Sequence, residues 1–212
     1  MFRIIFFAMF LLFAQVVKAQ DFSSFEADLA QQPKNTKRIG ICGGNSWDFS
    51  QIGNEFAYGL HAFIGVGFCD RFSAGLYLGG LVSEDLYDNY YKDKCHYNLT
   101  SLGVFLCNKF PLTERVKISV PIRIGYGEAS YGTYVGYDDY YGYDSPEVTK
   151  DLFVAVPGVN IEVKLCPFFR LFAGVNFTLT SDSTLDDNGY RLLEEDGANR
   201  LGFVIGARFG KF

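Results

Sequence analysis

Two histidines, five cysteines and a few charged residues set in apolar stretches are the side chains of this 212-residue chain with reactive potential. A serine-type hydrolase would need His61 beside Ser73 or Ser101, with a carboxylate such as Glu84 to orient the base. Neither serine sits in a GxSxG segment, and neither His61 nor His96, the only other histidine, belongs to an HExxH pattern. These residue types fit an interior or interface histidine better than a catalytic one. Cys42, Cys69, Cys95, Cys107 and Cys166 are odd in number, so at least one thiol is free or paired outside the chain. Their spacing matches neither a zinc ribbon nor a CxxC redox site. Cys42 and Cys69 fall near the same end of neighbouring strands, where a bridge competes with a role as small apolar filler. No cofactor or metal is expected.

The second chemical feature is a set of ionisable residues at positions whose neighbours alternate with apolar ones: His61, Lys117, Arg123, Glu162 and Arg208. If these point into a closed interior, opposite charges must pair there, because an isolated buried charge is costly. Glu162 with Arg123 is the first pairing to expect. A polar path through the interior would instead make these residues the lining of a narrow channel.

Third come the acidic, tyrosine-rich segments. Residues 128–149 carry six tyrosines, five acids and no Lys or Arg. Tyr131, Tyr134, Tyr137, Asp138, Asp139, Tyr140, Tyr141, Tyr143 and Asp144 are the candidates for loop recognition, since tyrosine gives rigid amphipathic contact surface. The acids could bind calcium or bridge through it to phosphate, although the spacing is not that of an EF-hand. Residues 181–199 add Asp182, Asp186, Asp187, Glu194, Glu195 and Asp196 against Arg191 alone. A merely solvated, repelling surface is the plain alternative to partner binding.

The elements that must position these residues alternate with a period of two, which marks strands with two unlike faces. The spacing predicts strands near 38–47, 56–68, 72–82, 96–107, 115–127, 150–164 and 170–180, and a last one from Leu201 to Gly210. In the second, Tyr58, Leu60, Ala62, Ile64, Val66 and Phe68 oppose Gly59, His61, Phe63, Gly65 and Gly67. In the fifth, Val116, Ile118, Val120, Ile122, Ile124 and Tyr126 oppose Lys117, Ser119, Pro121, Arg123 and Gly125. The sixth sets Phe153, Ala155, Val159, Ile161 and Val163 outward. The fourth is ambiguous, because Leu102, Val104 and Leu106 share one side while Tyr97 and Leu99 share the other. A bulge or a shifted boundary would explain that phase, and equally the prolines Pro121 and Pro157 inside strands.

Large side chains on one face and Gly, Ser, Asn or charge on the other invert a soluble barrel, whose bulky face would have nothing to cover it. The pattern fits an all-β fold: a transmembrane antiparallel up-and-down barrel of eight strands, apolar toward lipid and small or polar within. Eight strands leave an interior narrow enough for side chains to fill, which argues against a general solute pore. Short links follow the second, fourth and sixth strands (69–71, 108–114, 165–169). Long polar links follow the third, fifth and seventh (83–95, 128–149, 181–199), and the first, 48–55, is brief. Phe68, Phe72, Phe110, Phe168, Phe169, Phe209 and Phe212 gather at the short-link end; Trp47, Tyr58, Tyr97 and Tyr126 lie toward the other, as two interfacial girdles would.

Residues 1–19 read as a secretory leader: Arg3, an apolar run from Ile4 to Phe13, and Val17-Lys18-Ala19 before the cut. Residues 20–37 form a polar lead-in, and 38–212 the barrel. Removing the leader leaves 17 basic against 24 acidic residues, a formal charge of −7, with no basic stripe. That balance speaks against nucleic acid as a partner.

With its leader, short turns and terminal FVIGARFGKF, the chain resembles the outer-membrane β-barrel domain family of Gram-negative bacteria, in particular small glycine- and aromatic-rich members from Bacteroidetes. The resemblance covers residues 38–212. It implies an outer-membrane location with long loops extracellular and short turns periplasmic. Outer-membrane lipid and lipopolysaccharide are then expected neighbours, and the barrel assembly machinery a partner that reads Phe203, Phe209 and Phe212. An extracellular protein or glycan is the expected ligand class of the loops. A structural, adhesion or partner-binding role follows first, then a narrow channel or transport accessory, then a membrane-embedded lipid-modifying hydrolase. No peptidoglycan-binding domain is expected after the barrel.

Overall fold

A computed structural model describes residues 39–52, 55–68, 70–88, 93–133, 148–181, 185–187, 190–193 and 199–210. The leader and the lead-in lie outside them. Seven strands follow in order: β1 (Ile39–Ile52), β2 (Glu55–Phe68), β3 (Phe72–Asp88), β4 (Asp93–Pro111), β5 (Val116–Thr133), β6 (Val148–Cys166) and β7 (Phe169–Thr180). Two short strands, β8 (Leu185–Asp187) and β9 (Tyr190–Leu193), pair only with each other, and β10 (Arg200–Gly210) completes the set. β1 to β7 and β10 form one closed barrel in which every neighbouring pair is antiparallel. The fold is thus an eight-stranded up-and-down barrel, sealed where β10 pairs with β1.

Most strands run further than the alternation alone indicates. β3 and β4 stay paired out to Asp88 opposite Asp93, so most of the segment read as a loop over 83–95 is a projecting hairpin. β5 continues to Thr133, and the stretch read as a loop over 181–199 contains the β8–β9 hairpin. The turns at the opposite end are tight. Arg71 N–H donates to Phe68 C=O at 3.0 Å, and Asp70 takes φ 56°, a left-handed conformation that Asp tolerates. The Thr113 hydroxyl accepts from Arg115 N–H and Val116 N–H at 3.3 and 3.0 Å, closing the β4–β5 turn.

Pairing carries the chain around the wall from Gly40 through Gly67, Ser73, Cys107, Pro121, Gly158, Asn176 and Gly202. It returns to β1 at Ser50, ten residues beyond the start. Spread over eight strands about 4.8 Å apart, that stagger tilts the strands by roughly 40°. Pro121 and Pro157 introduce no bulge between β5 and β6. Ser119 faces Asn160 and Ile122 faces Pro157 in the same register, and the ladder is merely interrupted between them. β4 also pairs with β5 without a shift from Cys95 to Pro111, so its mixed phase does not come from a bulge against β5.

The outer wall is apolar. Ile41, Ile64, Leu76, Leu78, Leu102, Ile161, Leu201 and Phe203 are each more than half exposed. Ala155 keeps the outward phase but is only 5% exposed, in register between Ile124 and Leu179. At the short-turn rim stand Phe68, Phe72, Phe168 and Phe209, and at the other Phe56, Tyr58, Tyr126 and Phe153, all exposed. On β2 the two rims, Phe68 and Phe56, are separated by roughly 30 Å along the tilted axis. That is the thickness of the hydrocarbon core. Trp47 lies between the rims, paired with Leu60 and Ile205. Tyr97, expected in the upper girdle, is instead fully buried inside.

Candidate functional site

The interior is the chemically distinctive part of the molecule, and it is stratified. At the short-turn end the Asp70 carboxylate reaches from the β2–β3 turn under the lumen. Its Oδ2 accepts from Lys117 Nζ on β5 and from Arg170 Nη2 on β7, the latter at 2.7 Å. Burial alone would push the Asp70 carboxyl up, but the hydrogen bonds and charges of Lys117 and Arg170 outweigh it and hold the group below the usual carboxylate range. Above it, Glu162 stands between Arg170 (3.6 Å) and Arg208 (3.2 Å). Arg208 also points both terminal nitrogens at the Cys107 sulfur, 3.7 Å away.

An aromatic layer follows. The Arg208 guanidinium carbon lies 5.3, 5.5 and 5.9 Å from the ring centres of Phe63, Phe105 and Phe172. Such cation–π contacts gain strength where water is excluded. Glycines make room for these rings. A Cβ on Gly44 would stand 2.6 Å from the tip of Phe63, and one on Gly206 2.4 Å from the tip of Phe172. Higher still, Asp48 Oδ2 accepts from Arg123 Nη2 at 2.7 Å and meets His61 Nε2 at 2.8 Å. The His61 ring lies against Gly79, where a Cβ would come within 1.7 Å of Nδ1.

At the long-connection end the polar character stops. Ile52, Ala57, Leu81, Tyr97, Leu99, Ala129, Tyr131, Leu152, Val154 and Val156 form one buried apolar cluster across the lumen. Here inward positions are as apolar as outward ones. That is why β4 carries large residues on both faces, with Tyr97 and Leu99 inside and Leu102 and Val104 outside. Between the layers, among the described residues, lie two small spaces of about 30 and about 10 Å³. They hold at most one or two water-sized species.

Of the ionisable residues singled out above, His61, Glu162 and Arg208 are buried, and the Lys117 and Arg123 side chains are 13 and 11% exposed. They do not form one cluster. Arg123 sits opposite Val156 on β6, whereas Glu162, six residues further along that strand, sits opposite Lys117. Glu162 therefore pairs with Arg170 and Arg208, and Arg123 takes Asp48 instead. Asp48, Asp70, Lys109, Arg170 and Arg200 belong to the same interior and escape the sequence reading. Asp48, Lys109, Arg170 and Arg200 fall at or beyond the ends of the strands that alternation marks, and Asp70 sits in a turn.

For a hydrolase, the carboxylate at His61 is Asp48 rather than Glu84, whose side chain is outside the described residues. Ser101 shares the smaller space with both, directly beneath the apolar cluster. Among the described residues no group of three or more His, Cys, Asp or Glu side chains is placed to hold a metal. Cys42, Cys107 and Cys166 are free thiols, which removes the Cys42–Cys69 bridge.

Tyr131 is corrected from a loop-recognition residue to an interior one, 3% exposed. Tyr134, Tyr137, Asp138, Asp139, Tyr140, Tyr141, Tyr143 and Asp144 lie outside the described residues. Phe203 and Phe209 face outward at 66 and 48% exposure, and Phe212 is outside the described residues.

Comparison with solved structures places this wall among outer-membrane barrels. A major outer membrane protein from Thermus thermophilus superposes with a TM-score of 0.55 at 17% identity, over 81% of this chain and 98% of that one. The chain has an outer-membrane-type β-barrel fold. Neisserial surface protein A aligns with a TM-score of 0.48 at 15% identity (83% of this chain, 98% of that one). The attachment invasion locus protein Ail of Yersinia pestis gives 0.41 at 13% (81 and 97%). No protein-family model matches the chain, and no curated protein sequence matches it significantly.

Proposed function

We propose that this protein is a non-conducting outer-membrane barrel, a stable anchor whose outward connections contact a protein or glycan outside the cell. One observation carries the reading: among the described residues ionic, aromatic and apolar layers succeed one another along the lumen from the Asp70 ion pairs to the apolar cluster, with spaces of about 30 and about 10 Å³ between them. The apolar outer wall with its two aromatic rims supports the membrane location, since each unpaired backbone group in lipid costs several kcal/mol and a β-sheet avoids that cost only by closing into a barrel. Outward-facing Phe203 and Phe209 on the last strand suit recognition by the barrel assembly machinery, and the outer wall suits contact with lipid and lipopolysaccharide.

In this reading the short turns are periplasmic and the long connections, including residues 134–147, are extracellular and supply the contact surface. No catalytic step is assigned: with Nε2 on Asp48 the base would be His61 Nδ1, which lies against Gly79 and meets no serine hydroxyl, and the space beside Ser101 is about 10 Å³ and roofed by the apolar cluster.

Reconstitution into planar bilayers tests the reading. Folded protein, verified by heat-modifiable gel migration, is expected to give no unitary current steps. Reproducible ohmic steps from the folded form would replace the anchor with the narrow channel. Turnover of lipid esters, lost on His61→Ala, would replace it with the hydrolase.

A further inference from the structure

The larger of the two lumenal spaces has a wall unlike the rest of the interior. It lies between the Asp48–Arg123 layer and the Glu162–Arg208 layer, and both arginines line it. Ser46, Tyr77, Asn160 and Asn176 line it as well, and no carboxylate does. Asp48 and Glu162 meet the guanidinium groups away from this space.

Asn176 is 6% exposed, and its Nδ2 donor has no partner. Its Oδ1 lies toward Gly202, where a Cβ would come within 2.6 Å, and the side chain lines both lumenal spaces. Arg208 is 1% exposed and its Nε is likewise without a partner. Buried donors left unsatisfied are costly, and more so when charged, so such a site calls for an acceptor. Water is an acceptor, but a wall with two guanidinium groups, an amide N–H and no carboxylate favours a negative one.

We propose that this cavity is a binding site for one small monovalent anion of chloride size, held by Arg123, Arg208 and Asn176. A space of about 30 Å³ for water-sized species admits a halide. The ion would sit mid-lumen, tying β5, β7 and β10 together.

Crystals of the barrel refolded and grown in bromide test this directly by anomalous diffraction. A peak in the cavity within hydrogen-bond distance of Asn176 and a guanidinium group is the expected result. Solvent density there without anomalous signal means water alone and overturns the proposal.

In solution, the urea midpoint of the native barrel is expected to rise when chloride replaces gluconate at constant ionic strength. Asn176→Leu, which keeps the side-chain size, should reduce that chloride-specific shift at least several-fold. An equal shift in native and variant proteins, or none in the native protein, counts against the site. The diffraction test uses the unmodified chain and does not depend on the variant folding.

Discussion

Asp70→Asn should loosen the short-turn end of the barrel without disturbing its wall. Asp70 Oδ2 takes hydrogen bonds from Lys117 and Arg170, and Lys117 Nζ also donates to the Asp70 carbonyl at 3.1 Å. Asparagine keeps the backbone contact and one acceptor oxygen but removes the charge. Charge-assisted hydrogen bonds contribute about 1.5–3 kcal/mol each when well buried. The Asp70 side chain is 27% exposed, so solvent screening cuts the pair to a net loss of about 2 kcal/mol.

The carboxyl is held below its ordinary value in the folded barrel, so its contribution is fully present above the unfolded value of about 3.9 and fades as pH falls through the folded one. Urea unfolding in lipid vesicles reads this out through Trp47, the single tryptophan, which is 46% exposed on the lipid-facing wall. The native barrel should exceed the variant by about 2 kcal/mol across pH 6–8, with the gap closing on acidification below roughly pH 4. A gap below about 0.5 kcal/mol at pH 7, or one that widens in acid, would mean that Asp70 does not carry this ion pair.

Other substitutions probe the remaining layers. Glu162→Gln strands Arg208 beside three phenylalanines and should cost about 3 kcal/mol, read from the same urea midpoint. Gly79→Ala must rotate the His61 ring away from Asp48 and should cost about 1–3 kcal/mol. Gly80→Ala next to it, where the nearest atom to a new Cβ is 4.0 Å away, should be close to neutral. Ile64→Arg, mid-wall and 63% exposed, should cost about 2–4 kcal/mol in bilayers. Gln51→Arg, paired with Phe56 at the rim, should cost under about 1 kcal/mol.

The outer wall is legible in the sequence because lipid imposes one requirement on every outward residue, and β2, β3 and β10 obey it with a period of two. The loop-end interior is not. Tyr97, Leu99, Tyr131, Leu152 and Val154 make that end apolar on both faces, which erases the alternation and invites a false bulge in β4. Charge pairing is equally hidden, since a partner depends on the ten-residue stagger around the barrel and not on any one strand. Lys117 and Arg123 look equivalent along β5, yet the first serves Asp70 and the second Asp48. Asp70 lies in a turn, where strand periodicity has nothing to say.

Depth-dependent quenching of Trp47 in vesicles is the most direct test that this cylinder is greasy outside and sealed within. Trp47 lies on the outer wall between Leu60 and Ile205, below the Phe56–Tyr58 rim. Lipids brominated near the middle of the acyl chains should quench it strongly, and aqueous acrylamide should barely do so. Strong quenching by acrylamide with none by brominated lipid would put that wall in water and end the membrane-barrel interpretation.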